Sequence, residues 1–358
     1  MAIKDGGAVY NIGRSEFNDT KFLGCSALGL GGQVYNGDAA AVFFYDSEMA
    51  EGRAQAGGGL ANVNGIATLS SVKMSNNTAA DFGGDIITSG DAAKLVVMSS
   101  ASNMSFANGS GGSIAMVGAQ KVTEWFGQVL RGGNGGGLLR IVSTRFEHCG
   151  AALNGGCLAA FEAGWGNLTL ENIDIVKAVL VAETYQLLSP ALTRRGGSIF
   201  LSGKTTTTAH NLFMKNGFNE ASDVYRGGGI YIGEMATMHV EGINCISMYA
   251  SDDGACIYIT DSAVLNIVDG NIVRTANISS AVAAVGQSSL SWDQKISDEY
   301  DYTNNRRVTV KQFALNITGV SFLENRGRAL RVFSSTARLT DCSFTNDGYS
   351  KDTRTHDV

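Results

Sequence analysis

The chain has 358 residues, 44% of them hydrophobic and 17% charged, with 46 glycines and a single proline. This balance excludes general disorder, which needs low hydrophobicity and high charge. A net charge of −6 predicts no nucleic-acid partner, and no apolar run is long enough to predict a transmembrane segment.

A repeat begins near the N-terminus with a glycine pair and alternating aliphatic residues, Gly6-Gly7-Ala8-Val9. The aliphatic residue two positions after each pair forms a column, in which Val34 and Leu60 follow Val9 at steps of 25 and 26 residues. A fixed period in this range marks an architecture in which each unit stacks on its neighbours. The predicted column is Val9, Val34, Leu60, Ile86, Ile114, Leu139, Leu158, Ile199, Ile230, Ile257, Val282 and Leu330.

Each repeat unit is typical of two or three short strands. Alternation is strand-like, and we expect the aliphatic column to form the buried face. Glycines permit positive φ and a tight corner where the next coil lies close. The pattern predicts an all-β fold, a parallel β-helix (solenoid) of about twelve coils, with residues 1–358 in a single domain.

Asn11, Asn36 and Asn62 occupy one position on the first three coils. Stacked amides can hydrogen-bond to one another along the axis of such a structure. We therefore predict an asparagine ladder with a structural role.

A second phrase precedes the corners, in which an aromatic residue or methionine stands three positions before Cys or Asn. Its copies are Phe22-x-x-Cys25, Met74-x-x-Asn77, Phe146-x-x-Cys149, Phe213-x-x-Asn216 and Phe322-x-x-Asn325. Together, the two phrases resemble the GGA[I/V] and FxxN repeats of chlamydial polymorphic outer membrane proteins and related β-helix surface proteins. The resemblance covers most of the chain and implies a right-handed single-stranded parallel β-helix with an adhesin-like role.

Three insertions, 118–134, 177–195 and 287–307, and a polar tail, 347–358, interrupt the repeat. The second is interpreted as a short helix that ends near Pro190. Long loops on a repeat scaffold lie on its surface and often carry function, and the polar, acidic third insertion is the best candidate for a contact site. Its candidate contact residues are Trp292, Asp293, Asp298, Tyr300 and Tyr302.

From Arg306 onward, nine Lys and Arg residues face five Asp and Glu residues. A solvated coil end explains this balance, and so does an acidic partner such as the 287–307 loop of a neighbouring copy. In the second interpretation, Arg328 and Arg331 are candidate contacts.

Phe200, Tyr231 and Tyr258 occupy the outward position on three adjacent coils, as Tyr10 and Tyr35 do on the first two. An aromatic strip can stack against sugars or another protein. The same rings can instead stack on one another beneath an overlying loop. The sequence leaves both interpretations open.

The six cysteines show neither CxxC nor metal-ligand spacing. Cys149 and Cys157 bracket one coil corner, and Cys245 and Cys256 bracket another, so two disulfides are possible. The alternative interpretation is that each is a small buried hydrophobic residue.

Seven Asn-x-Ser/Thr sequons favour a glycosylated exterior and an extracellular or cell-surface location. The candidate acceptors are Asn18, Asn76, Asn103, Asn108, Asn167, Asn277 and Asn316. No signal peptide is recognisable before the first corner, so the sequence predicts either a different route or a piece of a longer chain.

Nothing in the sequence predicts a catalytic, metal or cofactor site. Asp252-Asp253 is the one match to the phrases of polygalacturonase-like β-helix enzymes, and the four histidines suggest no triad. The leading hypothesis is a non-catalytic extracellular structural or adhesive module. The alternatives are a polysaccharide-active lyase or hydrolase and a viral or phage spike or capsid component.

The ends of the repeat predict assembly. Five residues precede the first glycine pair and the C-terminal tail is polar, so neither end is expected to be capped from within. The expected partners are other protein subunits or further coils of a longer chain, as in a filament, with carbohydrate as another candidate.

Overall fold

A computed structural model describes residues 4–118, 135–161, 166–180, 195–216, 226–251, 253–275, 280–285, 296–301, 306–311, 315–333, 335–345 and 347. These residues form strands, bends and turns, and none of them is helical. The fold is therefore all-β, and most of its strands are parallel.

The strands follow one another in eleven successive coils. Coil 1 contains β1 (Val9–Asn11), β2 (Arg14–Asn18) and β3 (Lys21–Leu23). Coil 2 contains β4 (Val34–Asn36), β5 (Ala41–Tyr45), β6 (Glu48–Ala50) and β7 (Arg53–Ala56). Coil 3 contains β8 (Leu60–Val63), β9 (Ile66–Ser70), β10 (Lys73–Ser75) and β11 (Thr78–Phe82). Coil 4 contains β12 (Ile86–Ser89), β13 (Lys94–Met98), β14 (Ala101–Asn103) and β15 (Phe106–Ala107). Coil 5 contains β16 (Ile114–Val117), β17 (Gly137–Val142), β18 (Arg145–Glu147) and β19 (Gly150–Ala151). Coil 6 contains β20 (Leu158–Phe161), β21 (Gly166–Val176) and β22 (Val179–Leu180). Coil 7 contains β23 (Ile199–Leu201) and β24 (Thr205–Lys215). Coil 8 contains β25 (Ile230–Ile232) and β26 (Thr237–Ile246). Coil 9 contains β27 (Ile257–Thr260) and β28 (Val264–Val273). Coil 10 contains β29 (Ser280–Val285), β30 (Ile296–Asp301), β31 (Arg306–Lys311) and β32 (Leu315–Leu323). Coil 11 contains β33 (Arg328–Phe333), β34 (Ala337–Thr340) and β35 (Ser343–Thr345).

Three parallel sheets run through these coils. The first sheet takes one strand from each coil, in the order β1-β4-β8-β12-β16-β20-β23-β25-β27-β29-β33. The second sheet has 17 strands, and a third, short sheet joins β7, β11, β15, β19 and β22. Stacked coils with these sheets form a parallel, repeat-like architecture compatible with a solenoid. The hairpin β30–β31 is antiparallel and forms a fourth, separate sheet.

The predicted aliphatic column is confirmed at every position except Leu139. Its other members pair in register along the first sheet, from Val9 opposite Val34 to Val282 opposite Leu330. Leu139 instead lies in β17 of the second sheet, between Leu95 and Leu168. The described residues form eleven coils, one fewer than the column predicts, because the glycines before Leu139 open a strand of the second sheet and not a corner.

The two glycines of a corner have different physical roles, as Gly83 and Gly84 show. Gly83 has φ +63°, and a Cβ there would lie 2.1 Å from the carbonyl oxygen of Ile86. A Cβ on Gly84 would lie 2.2 Å from the carbonyl oxygen of Gly112 in the next coil. The first glycine therefore permits the turn, and the second permits the close approach of neighbouring coils.

The core lies inside the coils. The inward aliphatic column is buried from Val34 to Val282, whereas Val9 and Leu330 in the terminal coils are only partly buried. The expectation of burial throughout therefore fails at both ends, because a terminal coil has a neighbour on one side only.

The predicted asparagine ladder lies within this core. Asn11 Nδ2 donates to Asn36 Oδ1 at 2.7 Å, and Asn36 Nδ2 donates to Asn62 Oδ1 at 2.8 Å. Asn62 Nδ2 continues the chain to Thr88 Oγ1 at 3.3 Å. All four side chains are buried, which is compatible with a structural role because each finds a hydrogen-bonding partner.

Candidate functional site

A β-hairpin, β30–β31, begins in the third predicted insertion, 287–307, and extends beyond it to Lys311. Asp298 and Tyr300 lie in β30, whose backbone places them opposite Thr309 and Arg307 of β31. Trp292, Asp293 and Tyr302 lie outside the described residues. The same holds for all but residue 118 of the first insertion, for residues 181–194 of the second, and for residues 348–358 of the tail.

Arg331 bridges three coils on the outer side of the first sheet. Its Nη1 atom lies 2.6 Å from Asp253 Oδ2, and Ser280 Oγ donates to Asp253 Oδ1 at 2.5 Å. The Asp253 side chain is 2% exposed, so this ion pair is shielded from water on the carboxylate side. Arg331 therefore links the last three coils, while Arg328 of the same strand is exposed.

The aromatic strip is a buried stack. The rings of Phe200 and Tyr231 lie 5.3 Å apart at 18°, and those of Tyr231 and Tyr258 lie 5.6 Å apart at 12°. All three side chains are buried on the outer face of the first sheet, and burial raises the pKa of Tyr231 to about 12. The Arg195 guanidinium lies 5.2 Å from the centre of the Tyr231 ring. The sequence allowed these rings either to stack against an external partner or to stack on one another. In the structure they stack on one another.

Both cysteine pairs are bonded. Cys149 is joined to Cys157, with their Cα atoms 5.1 Å apart, and Cys245 is joined to Cys256 at 6.2 Å. All four side chains are fully buried, so each also fills space in the core.

The sequons lie at the surface wherever their structure is described. Asn277 is outside the described residues. The exposed acceptors are Asn18, Asn76, Asn103 and Asn167, and the intermediate ones are Asn108 and Asn316.

A buried carboxylate cluster escaped the sequence analysis. Asp85 Oδ1 accepts from Asn77 Nδ2 at 2.7 Å and from Ser105 Oγ at 2.5 Å. Its Oδ2 accepts from Ser102 Oγ at 2.5 Å and from Ser113 Oγ at 2.7 Å. Burial raises the pKa of Asp85, and these four donors partly oppose that shift. Two features of the sequence could have indicated this cluster. Asp85 directly follows a glycine pair, a position whose side chain points inward, and Ser113 lies 28 residues later, about one repeat away.

The Asp85 cluster has the chemistry of a structural network. All four of its partners belong to this chain, and the carboxylate is fully buried. Within the described part of the chain, no group of three or more His, Cys, Asp or Glu side chains is arranged to hold a metal ion.

A surface cleft of about 570 Å³ crosses the turns of coils 7 to 10. Arg274 Nε lies 2.7 Å from Glu324 Oε2 on its wall, and hydrogen bonding to Glu324 raises the pKa of Arg274. Both side chains are exposed, so this pair adds little to stability. The cleft is lined by Asn216, Ser247, Met248, Tyr249, Arg274, Glu324 and Arg326.

Exposed large hydrophobic side chains concentrate in the two terminal coils. Of eleven such side chains among the described residues, four lie in coil 1 and three in coil 11. Those of coil 1 are Tyr10, Ile12, Leu23 and Leu28, and those of coil 11 are Val332, Phe333 and Leu339. Single exposed apolar residues are common, whereas their concentration in the two terminal coils is what an interaction surface at each end would produce.

Comparison of the chain with family models, curated proteins and solved structures finds no match. Within the described residues, no helix is long and apolar enough to span a membrane. The choice of a candidate functional site is therefore based on the structure of this chain alone.

Proposed function

We propose that this chain is a non-catalytic structural or adhesive module, a right-handed single-stranded parallel β-helix that joins other protein subunits or further coils through its ends. The observation that carries the proposal is the concentration of exposed hydrophobic side chains in coils 1 and 11, whose strands pair with a coil on one side only among the described residues. The handedness follows the resemblance of the repeats and the strong preference of parallel crossovers for one hand.

We further propose an extracellular or cell-surface location. Two buried disulfides fit an oxidising compartment, and the exposed sequons fit a glycosylated exterior. Production in a secretory host tests this directly. Glycosylation at Asn18 or Asn76 and intact disulfides in the secreted protein support the location, whereas retained, unglycosylated protein contradicts it.

The absence of catalysis is tested by incubating the purified chain with a panel of polysaccharides and measuring reducing and unsaturated sugar ends. We expect no turnover above background. Turnover that disappears in the Glu324→Gln variant, and persists in the control Glu171→Gln, would establish the alternative enzyme function. Glu324 is chosen because, among the described residues that line the cleft, it is the acidic one.

The cleft favours carbohydrate binding as a second candidate function. Arginine, asparagine, serine and tyrosine side chains on its wall can hydrogen-bond to sugar hydroxyls and carboxylates, and Arg326 carries a positive charge beside the Arg274–Glu324 pair. Binding of an acidic oligosaccharide should weaken in Arg326→Ala and stay unchanged in Arg140→Ala, on another face. Equal binding by both variants would remove the cleft as the site.

A further inference from the structure

The two ends of the stack expose complementary sets of strands. Among the described residues, β1, β2 and β3 pair only with strands of coil 2, and β33, β34 and β35 pair only with strands of coil 10. Both ends therefore present parallel strand edges whose outer N–H and C=O groups point away from the stack.

The registers of the two ends match through the whole molecule. Following the paired residues from coil to coil places Leu330 in the column of Val9. By the same route, Leu339 falls in the column of Phe17. A coil 1 placed on coil 11 in the existing register therefore sets aliphatic and aromatic residues opposite one another on the inward side.

One contact in the inward column of the first sheet is not matched, because Asn11 meets Val332 there while its amide keeps its hydrogen bonds to Asn36 and Ala41. The contacts beside it are closer matches. Phe344 shares the column of Phe22, and both rings are partly or fully buried already. On the outer face, Phe333 is 58% exposed and Ile12 is 74% exposed. The two residues fall in one column, because Ile12 directly follows Asn11, the last paired residue of β1, and Phe333 lies at the same step of β33. Stacking would cover both.

Opposite charges meet in the second sheet. The exposed Arg338 falls in the column of the exposed Glu16, which places a guanidinium beside a carboxylate across the junction. One like-charge pair, Asp341 opposite Asp19, is also created. Asp19 already lies beside Asp46 within the molecule, so the turn accommodates such a pair.

We infer that a second copy of this chain stacks head-to-tail on the first, with coil 1 of one copy continuing the sheets of coil 11 of the other. The inference rests on the proposed function and names its partner. The contact joins two different surfaces, so it does not close into a symmetric dimer and instead extends into a filament.

The test uses the full chain and a pair of charge-reversed variants, Glu16→Arg and Arg338→Glu. Each variant alone sets like charges together at the junction, whereas an equimolar mixture restores an opposite-charge pair at every junction in an alternating filament. Light scattering over a concentration series should show wild-type particles growing in steps of 37.5 kDa. Each single variant should need about fivefold more protein for the same mean mass, and the mixture should return to the wild-type curve.

A second variant keeps the inference falsifiable. Leu339→Asp places a charge opposite Phe17 and should abolish growth, and its melting temperature measures whether the chain still folds. A wild-type chain that stays monomeric overturns the inference, as does growth that no end variant alters. The second result would place the joining surface elsewhere and leave the non-catalytic function standing, since polysaccharide turnover tests that function independently.

Discussion

The first four coils and the later coils solve the same packing problem with different chemistry. One inward column of the first sheet reads Asn11, Asn36, Asn62 and Thr88 in coils 1 to 4. The same column continues as Met116, Ala160, Leu201, Ile232, Ile259 and Ala284 in coils 5 to 10. Both runs are buried, so burial does not require apolar residues here. It requires that a buried polar side chain finds a hydrogen-bonding partner, as Thr88 does in Asn62 although Met116 lies on its other side.

A second comparison lies at the corners. Asn77 and Asp85, Ser105 and Ser113, and Cys149 and Cys157 occupy equivalent positions on three successive coil junctions. The first pair is hydrogen-bonded, the second pair donates to Asp85, and the third is a disulfide. The same backbone position therefore accepts a polar network or a covalent link.

The largest effect is expected where the two regions are alike. Ile86→Asp and Ile199→Asp each place a charge in the shared aliphatic column and should cost about 4 kcal/mol of unfolding free energy, because a buried carboxylate has no partner there. Urea denaturation measures both. The exposed Ile66→Asp is the control, with little expected change. A large cost in one region with wild-type behaviour in the other would show that the regions do not share one register.

Exchanging the two chemistries should cost somewhat less. Asn36→Leu removes the amide that donates to Asn62 Oδ1 and one of the acceptors of Asn11 Nδ2. Ile232→Asn places an unpaired amide among aliphatic residues. We expect about 3 kcal/mol for each, since an unsatisfied buried polar group loses its hydration. Chemical denaturation would measure both costs. If either variant were as stable as wild type, continuity within a column would not be the governing rule.

Removing the corner disulfide should cost about 2.5 kcal/mol in Cys149→Ser/Cys157→Ser, the value expected for closing a loop of this length. The variant places a serine pair at the position equivalent to Ser105 and Ser113, so the fold should persist with a lower melting temperature. The matched control is Cys25→Ser, since Cys25 is free. An unfolded double variant would show that hydrogen bonding cannot replace the link at this corner.

The smallest effect concerns Asp85 and depends on pH. Its raised pKa means that the folded chain holds the proton more tightly than the unfolded chain. The resulting stabilisation is fully present below the unfolded value, about 3.9, and is lost as pH rises through the folded value. Asp85→Asn has no carboxylate to titrate, so its free energy of unfolding relative to wild type should be higher at pH 7 than at pH 4. A pH-independent difference in urea midpoints would contradict the assignment.

The sequence predicted the repeat well because the glycine pair imposes a local constraint. Gly83 needs positive φ and Gly84 needs an absent side chain, so both leave a signature in every coil. Leu139 was misplaced because a glycine followed by alternating aliphatic residues also opens β17. Only its pairing with Leu95, 44 residues earlier, distinguishes the two cases.

The interior polar groups were harder to predict, because their partners lie in other coils. Asp85 draws its donors from residues 8, 17, 20 and 28 positions away, and no single spacing identifies them all. The cysteines were undecided for a related reason. The spacing of eight between Cys149 and Cys157 equals that of Asn77 and Asp85, so spacing alone specifies a contact and not its chemistry.

The disulfide between Cys149 and Cys157 has a consequence for how the molecule responds to force. A coil pulled from the end of the stack lengthens the chain by about 3.4 Å for each residue released. The eight residue steps between the two cysteines cannot extend while the bond is intact. Eight released steps would span about 27 Å, whereas the linked Cα atoms stay 5.1 Å apart. The junction of coils 5 and 6 therefore yields about 22 Å less length than the equivalent junction at Asn77 and Asp85, which makes the covalent corner the less extensible of the two.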